Sequence, residues 1–233
     1  MKKKKLIVLT GAGISAESGL KTFRDADGLW EGHRVEDVAT PQAFQKNPDL
    51  VHDFYNQRRR QLQEVGPNAA HTSLADLESD FEVTIITQNV DDLHERAGSS
   101  HIVHLHGELT KVRSLVNPHQ ILEWKEDLTT THRGPDGHAL RPHIVWFGED
   151  VPLIQTAAEL VSEADLLVII GTSMLVYPAA GLVQFAPLGI PIYYIDPNPT
   201  INYELKRIPN LTVIPEVATE GVKRLAERLK DDM

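Results

Sequence analysis

The 233-residue sequence contains no cysteine. Disulfides, a thiol nucleophile and any cysteine-ligated zinc or iron–sulfur site are therefore excluded. No window approaches the apolar length of a membrane-spanning helix. The basic opening Met1–Lys5 resembles the start of a signal peptide, but the apolar run behind it, Leu6 to Leu9, is too short and meets Gly11 at once. Positive charge is scarce: 23 Lys and Arg against 33 Asp and Glu give a formal net charge of −10. Such a balance argues against nucleic acid as the main ligand. Internal repeats and low-complexity segments are lacking too. The expectation is a soluble, cytoplasmic monomer with no nucleic-acid or membrane partner. Hydrophobic content of 41 % leaves enough material for one large domain, or a main domain with a smaller insertion.

Short β-branched apolar runs mark the buried strands of a parallel sheet, and chemistry sits where those runs end. Lys5 to Thr10 leads into Gly11-Ala12-Gly13-Ile14-Ser15-Ala16, a G-x-G-x-x-A pattern after a strand. Ahead of a helix, that pattern lets backbone N–H groups approach a pyrophosphate; it serves equally as a plain tight turn. Val83 to Thr87 ends on Gln88-Asn89-Val90-Asp91, and Ile102 to Leu105 ends on His106-Gly107. Ligands of open α/β sheets bind outside the carboxyl ends of the strands. An amide, a carboxylate and an imidazole thus converge, with His106 the candidate base. Later runs end on Gly171-Thr172-Ser173 and on Asp196-Pro197-Asn198, the second a candidate ribose contact.

Between these runs lie two insertions. Thr22 to Trp30 is a polar, Gly- and Asp-rich loop that reads as a lid. Helices are expected to open at Pro41, near Pro48 and near Asn68. On the middle helix Val51, Phe54, Tyr55, Arg58 and Leu62 share a face. An arginine in an apolar stripe either snorkels or meets an anion. Arg59 and Arg60 read as solvated charges. From Lys111 to His143 periodicity is lost, and His119, His132 and His138 fit no zinc spacing. The main sheet is expected to resume at Arg141–Glu149, followed by a helix over about 153–163, a strand over 164–170, a helix over 178–185, strands over 191–195 and 211–214, and a last helix over about 216–229.

In order and spacing, Gly11–Ser15 through Thr22-Phe23-Arg24, Thr87–Asp91, His106-Gly107-Glu108, Phe147-Gly148-Glu149 and Gly171–Ser173 resemble the motifs of the sirtuins, NAD-dependent protein-lysine deacylases. The resemblance covers nearly the whole chain. It implies an α/β fold: a Rossmann-like parallel sheet domain (about 1–23, 80–110 and 144–233) with a small domain from two insertions (about 24–79 and 111–143). NAD, the expected cofactor, and acyl-lysine would meet between them. It implies that Gly11, Ala12, Gly13, Ser15, Phe23, Arg24, Gln88, Asn89, Asp91, Gly171, Thr172, Ser173, Asp196, Asn198 and Ala218 bind NAD. His106, Asn89 and Asp91 are implied to be catalytic. Val145, Phe147, Gly148 and Glu149, with Val176 in the segment after Ser173, would hold a peptide by strand addition. In the implied chemistry the acyl oxygen attacks the nicotinamide ribose, nicotinamide departs, and His106 deprotonates a ribose hydroxyl; the products are free lysine, nicotinamide and O-acyl-ADP-ribose.

Two departures from the family pattern stand out. Ser114 occupies the place where the first of four zinc-binding cysteines is usual, so no zinc is expected, and Asp196 stands where an asparagine is usual. Leu115, Val116, Ile121, Leu122 and Trp124 are expected to form a small core in place of the metal. Within the family the chain resembles the branch with Tyr-x-x-Arg, here Tyr55 and Arg58, with Ala26 leaving pocket space. That likeness implies removal of succinyl and malonyl as well as acetyl groups from protein lysines. The rival readings are an NAD-dependent ADP-ribosyltransferase and a non-catalytic NAD or ADP-ribose sensor.

Overall fold

Runs of β-branched and aliphatic residues with no helical period fold as strands in the computed structural model, which describes residues 2–21, 29–30 and 32–231. β1 (Lys5–Thr10) is followed by two 3-10 turns (Ala12–Ile14 and Ala16–Ser18) and by β2 (Leu29–Trp30), which pairs antiparallel with β3 (His33–Arg34). Helices α1 (Val35–Val38), α2 (Pro41–Lys46), α3 (Pro48–Glu64) and α4 (Ala69–Asp76) come next. Then follow β4 (Glu82–Thr87), α5 (Leu93–Ala97), β5 (Ile102–His104), β6 (Gly107–Ser114), β7 (Ile121–Glu123) and β8 (Leu140–Ile144). The chain continues through α6 (Ile154–Ser162), β9 (Leu166–Ile170), a 3-10 helix (Ala179–Phe185), β10 (Ile192–Ile195), β11 (Leu211–Ile214) and α7 (Ala218–Asp231). The anticipated 178–185 helix is thus 3-10 rather than α.

Six strands form one parallel sheet in the order β11-β10-β9-β1-β4-β5. Period-2 alternation divides each strand between two cores. Leu6 and Val8 face the layer of α4 and α7, with Leu74, Val222 and Leu225. Ile7 and Leu9 face the opposite layer, with Ala157, Val161 and Leu182. Burial on both faces is why these runs are apolar throughout. From β1 the chain proceeds to β4 and β5 on one side, and later to β9, β10 and β11 on the other. The order reverses at β1 and β9, so a crevice opens at their carboxyl ends.

The helical insertion forms as expected. Thr40 caps α2 by accepting from the Ala43 N–H (3.0 Å), Asn47 caps α3, and Asn68 caps α4. One expectation fails: Arg59 is not solvated. It is 1 % exposed, and its Nε donates to Leu109 O (3.0 Å) while Nη1 donates to Asn56 Oδ1 (2.8 Å) and Glu126 O (3.1 Å). Burial pulls its pKa down to about 10, so it remains a cation at neutral pH. The reason is a neighbour that helix periodicity cannot reveal. The loop over 125–130 lies along α3, and Asp49, Asn56, Arg59, Arg60 and Gln63 each bond to it.

The segment from Arg141 does not rejoin the main sheet. β8 pairs antiparallel with β6, which also pairs with β7, giving a separate small sheet that reaches back to Gly107. Gly107, at φ +82°, turns the chain out of the parallel sheet, and a Cβ there would lie 2.0 Å from His143 O. The small core also differs from expectation. It is built from Val112, Leu128 and Leu140, with Leu122 and Trp124 against it, while Leu115, Val116 and Ile121 are exposed. Ser114 explains this. Its Oγ accepts from the Val116 and Asn117 N–H groups (3.2 Å each) and donates to Asp136 Oδ2 (2.5 Å). That polar turn points Leu115 and Val116 outward and ties the two ends of the insertion together.

Candidate active site

The floor of the crevice is two loops packed backbone to backbone. The Gly11 N–H donates to Ile170 O (3.0 Å) and the Gly13 N–H to Gly171 O (2.7 Å). A Cβ on Gly13 would sit 2.6 Å from Gly171 Cα, and one on Gly171, whose φ is +61°, 2.3 Å from Ile14 N. These glycines let the ends of β1 and β9 interlock. The stretch behind them is two 3-10 turns ended by Gly19 in the left-handed region, not the expected α-helix. A helix dipole at this loop is therefore not available.

Next along the edge, the loop after β4 carries a polar chain. Asn89 Nδ2 donates to Ser15 Oγ (3.2 Å), and Ser15 Oγ donates to Asp91 Oδ2 (3.0 Å). Asp91 also accepts from the Leu93 N–H (3.2 Å). Burial raises the Asp91 pKa to about 6 against the opposing pull of those bonds. Gln88 Nε2 donates to Thr172 Oγ1 (3.1 Å), linking this loop to the one after β9. His106 stands beside it with Nδ1 3.0 Å from Gln88 O. A carbonyl only accepts, so Nδ1 carries the proton and Nε2 holds the lone pair. Burial lowers the His106 pKa, which keeps the ring neutral. It is a preformed base.

At the far side, α3 brings Tyr55 and Arg58 to the crevice wall. Tyr55 is fully buried and its Oη accepts from Trp146 Nε1 (3.0 Å). Burial raises its pKa, so the phenol stays neutral. Half-buried Arg58 places its guanidinium 5.0 Å from the Phe54 ring centre. Trp146 is held in turn by Arg141, stacked 3.4 Å from its ring centre. Arg141 makes a bidentate pair with Glu149 (2.6 and 3.0 Å). The Glu149 carboxylate therefore braces the wall. The N–H groups of Val145, Trp146, Phe147 and Glu149 donate to His106 O, Glu149 Oε2, Ala39 O and Trp146 O. Phe147, Leu175 and Tyr177 are exposed apolar side chains around this segment.

Most of these groups line one cavity of about 560 Å³. Gly11, Ala12, Gly13, Ser15, Gln88, Asn89, Asp91, His106, Gly171, Thr172, Ser173, Asp196, Asn198 and Ala218 meet there with Tyr55, Arg58, Val145, Phe147, Gly148, Glu149 and Val176. Phe23, Arg24 and Ala26 lie outside the described residues. From Asp196 after β10 to His106 after β5 the cavity crosses four strand spacings, about 19 Å. That length, with a carboxylate and an amide at one end and a neutral imidazole at the other, fits an extended dinucleotide. His119, His132 and His138 form no metal-binding group among the described residues.

The model of the Sir2 family matches residues 11–178. The chain belongs to the Sir2 family. An NAD-dependent protein deacylase of Bacteroides thetaiotaomicron is 56 % identical over 232 residues, spanning 97 % of this chain and 98 % of the relative. One from Helicobacter pylori is 57 % identical over 226 residues, with 97 % of each covered. The crystal structure of a Sir2 homologue in complex with NAD superposes with a TM-score of 0.86 at 39 % identity, over 99 % of this chain and 91 % of that one. Rossmann-like parallel sheet and small antiparallel sheet are thus those of a sirtuin. Trp146 lines the cavity and Arg141 braces it from behind, a support that pattern reading does not show.

Proposed function

We propose that the protein is an NAD-dependent protein-lysine deacylase that accepts succinyl- and malonyl-lysine as well as acetyl-lysine. The observation that carries this reading is the joining of the His106 base, the Asn89–Ser15–Asp91 chain and the Tyr55–Arg58 wall in one cavity. Gly11–Ser15, Gly171–Ser173, Asp196, Asn198 and Ala218 would hold NAD. When bound, NAD supplies a ribosyl–nicotinamide bond whose breakage exposes an electrophilic ribose carbon. Asp91 and Asn89 are placed to hold the amide and ribose groups at the buried end. The tautomer enforced by Gln88 O leaves Nε2 of His106 to take a hydroxyl proton, the task of a general base. The segments around Val145–Gly148 and Val176 would receive the peptide, with Phe147, Leu175 and Tyr177 covering the lysine stem. We further propose that the cavity lies between the parallel-sheet body and a small domain built from the two insertions.

Acyl choice follows from the wall. A succinyl or malonyl carboxylate meets the Arg58 cation and the neutral Tyr55 phenol in a partly dry site. Charge-assisted bonds contribute roughly 1.5–3 kcal/mol, a preference of about ten- to a hundred-fold over acetyl. The test is mass spectrometry of matched acetyl, succinyl and malonyl peptides incubated with NAD, for wild type and Arg58→Met. Free lysine peptide with O-acyl-ADP-ribose supports deacylation. A mass gain on a protein acceptor instead supports ADP-ribosyl transfer, and no reaction supports sensing. An unchanged succinyl-to-acetyl ratio in Arg58→Met rejects the proposed role of Arg58.

A further inference from the structure

The catalytic loop after β4 is held at four successive carbonyls by the segment over 104–109. Thr87 O accepts from the Leu105 N–H (2.9 Å), and Val90 O from the Leu109 N–H (2.7 Å). The two between them are held by imidazoles. Gln88 O faces His106 Nδ1 (3.0 Å) and Asn89 O faces His104 Nδ1 (3.1 Å). The same stretch is also tied to β1 by the Gln88 N–H, which donates to Thr10 O (2.9 Å). Gln88 and Asn89 carry the side chains that reach Thr172 and Ser15.

The two histidines differ in what their second nitrogen meets. His106 has a carbonyl at Nδ1 and lines the cavity. His104 has Asn89 O at Nδ1 and Glu95 Oε1 at Nε2 (2.7 Å). Carbonyl and carboxylate both only accept, so His104 satisfies both as an imidazolium. We propose that His104 is a positioning residue of the reaction, clamped between Glu95 and the Asn89 carbonyl so that the Gln88–Asn89 segment is aligned for NAD. This rests on the deacylase reading for its kinetic consequence, while the clamp itself stands on the structure. The side chain of His104 is 9 % exposed. The charged and titratable groups around it are Glu95 and His94 on α5, Asp91 ahead of α5, and Glu108 and Lys111 on β6. Desolvation pulls the His104 pKa down, but the bond and charge of Glu95, the charge of Glu108 and the Asn89 carbonyl together raise it. The clamp is therefore complete at neutral pH and loses one of its two bonds as pH rises through that raised value.

The experiment compares wild type, Glu95→Gln, His104→Leu and His104→Gln across neutral to alkaline pH, with kcat and KM for NAD and acyl-peptide, and with the His104 ring followed by NMR. Glu95 is partly exposed, so Glu95→Gln is expected to fold. Its alkaline limb in kcat, and the NMR titration of His104, should both move about one pH unit lower. The acid limb, set by His106, and the KM for peptide should stay. Loss of a charge-assisted bond in His104→Leu should lower kcat about tenfold. His104→Gln, which keeps an N–H to offer Asn89 O, should restore most of that. An alkaline limb unmoved in Glu95→Gln, or a wild-type kcat in His104→Leu, overturns the inference. A wild-type chain with no deacylation rejects the deacylase reading. In that event hydrogen exchange at the Leu105 and Leu109 amides decides the clamp: about tenfold faster exchange in His104→Leu supports it, and unchanged exchange overturns it.

Discussion

At the scale of the residue, the site works by setting protonation before any ligand arrives. His106 is kept neutral by burial and locked in one tautomer by Gln88 O. His106→Ala removes the base and one of the four contacts on the loop after β4, while the Gly11–Ser15 and Gly171–Ser173 loops keep their own backbone bonds. Deacylation should fall by about two to four orders of magnitude while the affinity for NAD, measured by calorimetry, stays within a few-fold. Near-wild-type turnover would identify another group as the base. Because the His106 pKa lies below the ordinary imidazole value, the acid limb of wild-type activity should also lie below it.

Among the elements, α3 has two jobs on two faces. Tyr55 and Arg58 look into the cavity, while Asn56 and Arg59 clasp the loop over 125–130. Polar contacts close this part of the chain: Arg59 on the Leu109 and Glu126 carbonyls, and Ser114 on Asp136; with no cysteine in the sequence, they are expected to serve in place of the family's usual metal. Arg59→Met keeps the volume of the stem but leaves two carbonyls without a donor. Unpaired buried groups cost about 1–3 kcal/mol each, so urea denaturation should show a loss of about 2–5 kcal/mol. A chelator should leave the melting temperature of the wild type where it was. A melting temperature lowered by chelation, together with one zinc per chain in metal analysis, would refute polar closure.

For the molecule as a whole, acid is the predicted weak side. His52, His71 and His94 are 3 %, 0 % and 1 % exposed. Burial lowers their pKa values from 6.5 to about 4, 4 and 3. Below 6.5 the unfolded chain takes up protons that the folded one refuses, so stability falls as pH drops toward 4. These three groups contribute a slope of up to about 4 kcal/mol per pH unit. Asp91 acts the other way, since its carboxyl holds a proton up to about 6 in the fold and stability is regained as pH falls through that value. One group against these three, and against His143, which burial also lowers to about 4, leaves a net loss. Urea midpoints at pH values on either side of this window should drop steeply on acidification; a flat profile would mean that these rings titrate normally.

The sequence alone determined what depends on local chemistry. Lys5–Thr10 and the run over 164–170 read as buried strands, Pro41, Pro48 and Asn68 mark helix starts, and the site loops follow strand ends; all of these form. Local pattern also brought Tyr55 and Arg58 to one helical face and showed the cysteine-free insertion. What it could not determine were the partners brought from a distance. Arg59 read as solvated because its two carbonyl acceptors are fifty or more residues away, and the strand at Arg141 read as part of the main sheet because Gly107 does not announce its turn. Whether the Gly13 N–H greets a ligand or Gly171 O was likewise decided by the close approach of β1 and β9. Period and capping are properties of neighbours along the chain. Burial, protonation and the pairing of His104 with Glu95 and Asn89 arise only when separate stretches share the same space.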